Sequence, residues 1–169
     1  MDILLVDGYN MIGAWPELQQ LKDADFAAAR DLLIEKMEEY QSYTGYQVIV
    51  VFDAHSACGW TRQPKGSAVD VIFTKKNETA DERIEKLAIH LNNVRTQIHV
   101  ATSDATEQWA IFGQGALRKS ARELLIEVRQ IEQSIAAKVR EESEKKPSRK
   151  LAISDEMAEL FEKWRREGK

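Results

Sequence analysis

Short apolar runs recur along this chain, and three of them close on an acid. Ile3, Leu4, Leu5 and Val6 lead into Asp7; Gln47 to Asp53 reads QVIVVFD; Thr96 to Asp104 reads TQIHVATSD, with Ser103 just ahead of the acid. Runs this short, rich in β-branched residues and bounded by turn signals such as Asp7-Gly8, predict buried strands rather than helices. Val69 to Thr74 and Ala116 to Lys119 predict two more.

Between the runs the apolar spacing changes to that of helices. Phe26, Ala29, Leu33, Met37 and Tyr40 predict a helix from about Asp25 to Ser42, ended by Thr44 and Gly45, whereas Trp15 and Pro16 read as loop punctuation. Ala80, Ile84, Leu87, Ala88 and Leu91 form one helical face behind a Thr79-x-x-Glu82 capping box. Trp109, Ile111 and Phe112 suggest a short helix ending at Gly113. Ser120-x-x-Glu123 opens a long helix whose face runs from Ala121 through Leu124, Leu125, Val128, Ile131 and Ile135 to Val139. The polar stretch from Glu141 to Lys150, with Pro147, reads as a linker to a closing amphipathic helix carrying Met157, Leu160, Phe161 and Trp164. Strands alternating with helices predict an α/β fold with a mainly parallel sheet and C-terminal helices. We expect a domain over 1–143 and an appendix over 144–169.

Composition narrows the class. At 169 residues, 43% hydrophobic and 31% charged, the chain is long enough for one compact core. Its net charge of -4 supplies no global field to draw it onto nucleic acid, so any such contact is local. Cys58 is the only cysteine, which excludes an intramolecular disulfide and a cysteine zinc cluster. No leader pattern or apolar run of membrane-spanning length is present, so the expected location is the cytoplasm, without membrane attachment.

In an open parallel sheet, ligands sit beyond the carboxyl ends of the strands, where Asp7, Asp53 and Asp104 would converge. Asp81 joins them from the first turn of its helix, where the helix dipole alone also favours an acid. Gathered carboxylates repel and raise one another's pKa unless a cation neutralises them. All-oxygen ligation suits Mg²⁺ or Mn²⁺, which also bind phosphate oxygens and activate water. Asn10 could hold a scissile phosphate or order a water, or serve turn chemistry; Ser103 and Thr79 are equally poised between hydroxyl contact and capping. The acid-free stretch from Ala54 to Ala68 carries Trp60, Arg62 and Lys65, either a phosphate and base contact or a solvated connection.

Rival chemistries fit less well. A haloacid-dehalogenase phosphatase wants a second Asp two places after the first, where Tyr9 stands. A dinucleotide site wants a glycine fingerprint, and only Gly8 and Gly13 are nearby. His55, His90 and His99 show no paired metal spacing, which argues against a histidine-based ribonuclease.

LLVDGYNMI, VVFDA, NETADERI and ATSD, in that order, resemble the NYN branch of the PIN-like nuclease superfamily, and within it the YacP-type ribosome-associated endoribonucleases. The resemblance runs from Met1 to about Arg140. It implies a Rossmann-like three-layer α/β/α sandwich and metal-dependent hydrolysis of RNA to a 5′-phosphate and a 3′-hydroxyl. By the same resemblance, Asp7, Asp81 and Asp104 are the ligand core and catalytic acids, Asn10 completes the D-x-x-N pattern, and Asp53 is a further metal ligand or supports one. A ribosome partner and mRNA as substrate are also implied, with Arg118, Lys119, Arg122 and the 54–68 stretch as candidate contacts to ribosomal or transfer RNA. Two other readings remain open: a non-catalytic RNA- or ribosome-binding module with a structural ion, and a small-molecule phosphatase using the same acids.

Overall fold

The computed structural model describes residues 1–54, 67–103, 115–145, 159–160 and 162–166. Five strands form one sheet: β1 (Asp2–Asp7), β2 (Gln47–Phe52), β3 (Asp70–Phe73), β4 (Gln97–Ala101) and β5 (Leu117–Lys119). Their order is β3-β2-β1-β4-β5 and every pairing is parallel. The chain therefore moves outward from β1 through β2 to β3, then returns across β1 to place β4 and β5 on its other side. This reversal between β1 and β4 is the switch point at which open α/β sheets bind ligands.

Both faces of the sheet are covered, which is why its strands are almost continuously apolar. On one face Leu4, Val6, Val48, Val50, Phe52 and Val71 pack with Met11, Ile12, Trp15, Leu18, Leu33, Met37, Leu124 and Val128. These come from α1 (Gly8–Ala14), α2 (Pro16–Ala24) and the Trp15 between them, α3 (Phe26–Thr44) and the first turns of α5 (Ala121–Lys145). On the other face Ile3, Leu5, Ile49, Val51, Ile98 and Val100 pack against Ala80, Ile84 and Ala88 of α4 (Ala80–Leu91). The result is the three-layer α/β/α arrangement expected from the sequence.

Several local devices behave as read. Gly45 ends α3 in the left-handed region at φ 77°, donating its N–H to the Gln41 carbonyl. Ser120 and Glu123 cap α5 reciprocally, through Glu123 N–H to Ser120 Oγ at 3.1 Å and Ser120 N–H to the Glu123 carboxylate at 3.0 Å.

Three expectations are corrected. Asp7-Gly8 is not a loop turn: α1 starts at once, with Asp7 as its N-cap accepting from Asn10 N–H at 3.4 Å. Trp15 and Pro16 do not mark a loop either, because Pro16 occupies the first position of α2 and Trp15 is 1% exposed. Its indole Nε1 donates to the Ala121 carbonyl at 2.8 Å, and proline is favoured where a helix has no N–H to satisfy. Finally, the segment read as linker from Glu141 is helical as far as Lys145, consistent with the good helix propensity of Glu and Lys.

The chain forms two compact units, Met1–Ile131 and Glu132–Lys169. The first contains the whole sheet and every site residue discussed below. In the second, residues 132–145 continue α5, and residues 159–160 and 162–166 are helical. The expected helix with Trp109, Ile111 and Phe112 lies outside the described residues. Among the described residues, no helix is long and apolar enough to cross a membrane.

Candidate active site at the switch point

The carboxyl end of β1 delivers Asp7 into the switch point. Strand alternation puts its side chain on the same face as Ile3 and Leu5, the face covered by α4. The side chain is held stiffly, since Asp7 is 7% exposed and caps α1. Register sets its neighbours: Asp7 lies opposite Val51 of β2, and Val6 lies opposite Ala101 of β4. Asp53 therefore follows two residues beyond Asp7's partner, while Thr102 and Ser103 follow directly on the other side.

Asn10 sits one turn into α1 and spans the switch point. Its Oδ1 accepts from the Ser103 N–H at 2.9 Å, joining the segment after β1 to the segment after β4. With Oδ1 used in this way, the amide NH₂ is turned away from Ser103, and among the described residues it has no partner. Ser103 itself is exposed.

α4 runs antiparallel to the strands beneath it, so its first turn comes to the same carboxyl edge. Thr79 caps it, accepting from Glu82 N–H at 3.2 Å, and Asp81 stands half-buried in that turn. Before it, Glu78 is 5% exposed and takes Lys86 at 3.4 Å and Arg83 at 3.7 Å. Burial pushes its carboxyl pKa up, but the hydrogen bond from Lys86, the Lys75 backbone and the two cations outweigh burial and hold it below the ordinary value.

An aromatic cluster packs at the start of α1, with Asp53 near its Tyr9. Tyr9 packs against Phe26 at 5.3 Å and Phe52 at 5.1 Å, and the Arg30 guanidinium lies 5.5 Å over Phe26. Burial raises the Tyr9 hydroxyl pKa and Asp53 adds to it, against the opposing pull of Arg30, so Tyr9 stays protonated. Gly8 is required at this point: a Cβ there would lie 2.3 Å from Phe52 Cε1.

The candidate cations divide. Arg118 lies opposite Val100 and so shares the face of Asp7, exposed; Arg122 is exposed at the start of α5. Lys119 alternates to the other face, where its Nζ reaches both Glu127 oxygens at 2.8 Å and the Tyr40 hydroxyl at 3.3 Å. Tyr40 donates to the same carboxylate at 2.8 Å and is 2% exposed. Burial, then the Glu127 hydrogen bond, drive the Tyr40 pKa far above the ordinary tyrosine range. Lys119 is thus engaged in tying β5, α3 and α5 together, a role nothing in the spacing announced. His99, read as an ordinary residue, pairs with Asp2 at 3.0 Å and stacks on Tyr46. Asp104, Trp60, Arg62 and Lys65 lie outside the described residues.

Among the described residues, no three acidic, histidine or cysteine side chains gather closely enough to enclose a metal ion. Asp7, Asp53 and Asp81 each stand where a strand ends or a helix begins on the carboxyl side of the sheet, and each offers only oxygen donors. Mg²⁺ asks for little more, because it keeps several waters and binds through one or two carboxylates plus substrate phosphates. The donor chemistry fits such an ion.

An open, doubly wound parallel sheet with a buried acid and a bridging amide at its switch point defines an α/β protein with a polar site on its carboxyl edge. Comparison with known proteins assigns the family. Residues 4–166 match the YacP-like NYN domain, and the chain belongs to that family. It is 68% identical over 166 residues to a Bacillus subtilis protein described as uncharacterized protein YacP, covering 98% of each chain. It is also similar to the crystal structure of Rae1 (YacP) from Bacillus subtilis, with 67% identity and a TM-score of 0.80 over 98% of this chain and 95% of that one. A W164L mutant of the same protein matches with 69% identity and a TM-score of 0.76 over 85% and 84% of the chains.

Proposed function

We propose that this protein is a divalent-metal-dependent endoribonuclease that cleaves mRNA in association with the translating ribosome in the cytoplasm. The observation that carries the reading is the pairing of buried Asp7 with the Asn10 to Ser103 bridge at the switch point. Family membership supports it through the nuclease superfamily that the motifs resemble.

Asp7, Asp81 and Asp104 would hold Mg²⁺ or Mn²⁺, with Asp53 as a further ligand or supporting one. Bound there, the ion supplies an activated water and offsets charge on the phosphodiester. The chain's own contribution is positioning. Asp7 is fixed by burial and by its cap, so it contributes a carboxylate with little freedom to lose on binding. Asn10 points its amide N–H groups away from Ser103, where they can donate to a phosphate oxygen. Ser103 offers a hydroxyl beside that phosphate.

The test is cleavage of a translated mRNA with purified ribosomes and Mg²⁺ or Mn²⁺, repeated on naked RNA and with Asp7→Asn and Asp81→Asn. Cutting only by the parent and only during translation supports the whole reading. Cutting of naked RNA alone keeps the nuclease and discards the ribosome. The rival reading is a non-catalytic RNA- or ribosome-binding module with a structural ion. On that rival nothing is cut, and Asp7→Asn changes only stability.

A further inference from the structure

Among the described residues, the acids at the carboxyl edge of the sheet have exposed cations on either side. Beyond β3, Lys75 and Lys76 stand exposed on a turn that is firmly anchored. Thr74 N–H donates to the Phe52 carbonyl at 3.0 Å, Thr74 Oγ1 accepts from Ala54 N–H at 2.9 Å, and Glu78 N–H closes the turn on the Lys75 carbonyl at 3.0 Å. The nearby Glu78 carboxylate is taken by Arg83 and Lys86 rather than by this lysine pair. Beyond β4, Arg118 and Arg122 are exposed in the same way. In a chain with 28 acids against 24 bases, these four cations make no ion pair among the described residues.

β1 is central, with two strands on either side, so at ~4.8 Å per strand each flank is displaced about 10 Å across the sheet from β1. Along the strands the two flanks differ: Lys75 follows β3 beyond the level of Asp7, whereas Arg118, through Val100, is level with Leu5. Centred acids repel a polyphosphate, there is no global basic field, and among the described residues the flanking cations offer the attraction.

We propose that a single strand of RNA crosses the carboxyl side of the sheet obliquely, over Asp7, its phosphates held by Lys75 and Lys76 at one end and by Arg118 and Arg122 at the other. The inference rests on the endoribonuclease reading and gives that site its substrate path. Lys75 and Lys76 are its new members.

The test measures binding of a fluorescein-labelled single-stranded oligouridylate to the full chain across a salt series, using Lys75→Gln/Lys76→Gln and Arg118→Gln/Arg122→Gln. Each double substitution removes two phosphate contacts, so the slope of log K against log salt falls by about 1.4 in magnitude. These side chains are exposed, and an unchanged thermal midpoint verifies the fold. An unchanged slope for the lysine variant, in a parent that cleaves RNA, overturns the path and leaves the nuclease reading standing. A lysine variant that loses ribosome co-sedimentation while keeping the oligonucleotide slope also overturns it, since the lysines then serve ribosomal RNA. A parent that neither binds nor cuts RNA overturns both.

Discussion

Gly8→Ala sets two physical effects against each other. Gly8 opens α1, and helix propensity alone predicts that alanine would stabilise by up to about 1 kcal/mol. Space predicts the reverse, because the added Cβ would lie 2.3 Å from Phe52 Cε1 and 2.5 Å from Cδ1. The ring has nowhere to go: Phe52 is fully buried, with Tyr9 packed on it at 5.1 Å and Phe73 stacked at 5.7 Å. Overpacking of this kind costs about 1–3 kcal/mol, and so short an approach belongs at the upper end. The expected net loss is about 2 kcal/mol, and at roughly 2–4 °C per kcal/mol for a chain of this size the thermal midpoint falls by about 4–8 °C. Urea titration and thermal melts followed by circular dichroism measure both quantities. In a Phe52→Leu background the clash is relieved, and the same substitution becomes neutral or stabilising, a coupling that a double-mutant cycle isolates. A higher midpoint for Gly8→Ala in the parent would refute the packing argument.

Other predictions follow from the same contacts. Tyr40→Phe removes a partly buried hydrogen bond to Glu127 and lowers stability by about 1 kcal/mol by urea titration at pH 7. Because the folded pKa of Tyr40 is raised, its stabilisation is complete below the unfolded value of about 10 and declines as pH climbs above it. The phenylalanine variant accordingly shows a flatter alkaline limb. Glu78 has a lowered folded pKa, so its contribution is present above about 4.5 and is lost as pH falls through the folded value; Glu78→Gln flattens the acid limb of a melt series. Asn10→Ala loses the bridge to Ser103 and about 1 kcal/mol of stability, with a fall in cleavage rate well beyond what that fraction of unfolding explains.

Strand and helix identity were legible where burial and period agreed. β1, β2 and β4 are apolar runs too short for helices, and α3, α4 and α5 repeat at helical spacing with capping residues in place. The two helices between β1 and α3 were not legible. Gly8, Asn10 and Gly13 argue locally against helix, and tertiary packing of Met11, Ile12, Trp15 and Leu18, each at most 1% exposed, overrides that preference. Strand-end position singled out Asp7 and Asp53 as candidates, and a capping box singled out Asp81. The Asn10 to Ser103 bridge joins residues 93 apart, and the Lys119 to Glu127 and Tyr40 cluster joins three elements. Contacts of that kind follow from sheet order and alternation, which no local pattern encodes. Lys119 and Arg118 looked equivalent as neighbours in sequence; the pleat sends them to opposite faces.

The central claim is that Asp7 anchors a hydrolytic metal site. The most direct measurement is Mn²⁺ binding by calorimetry beside RNA cleavage, for the parent and for Asp7→Asn shown by circular dichroism to be folded. The parent is expected to bind the ion and cut, and the folded variant to lose both. A folded Asp7→Asn protein that still cuts RNA at the parent's rate would contradict it.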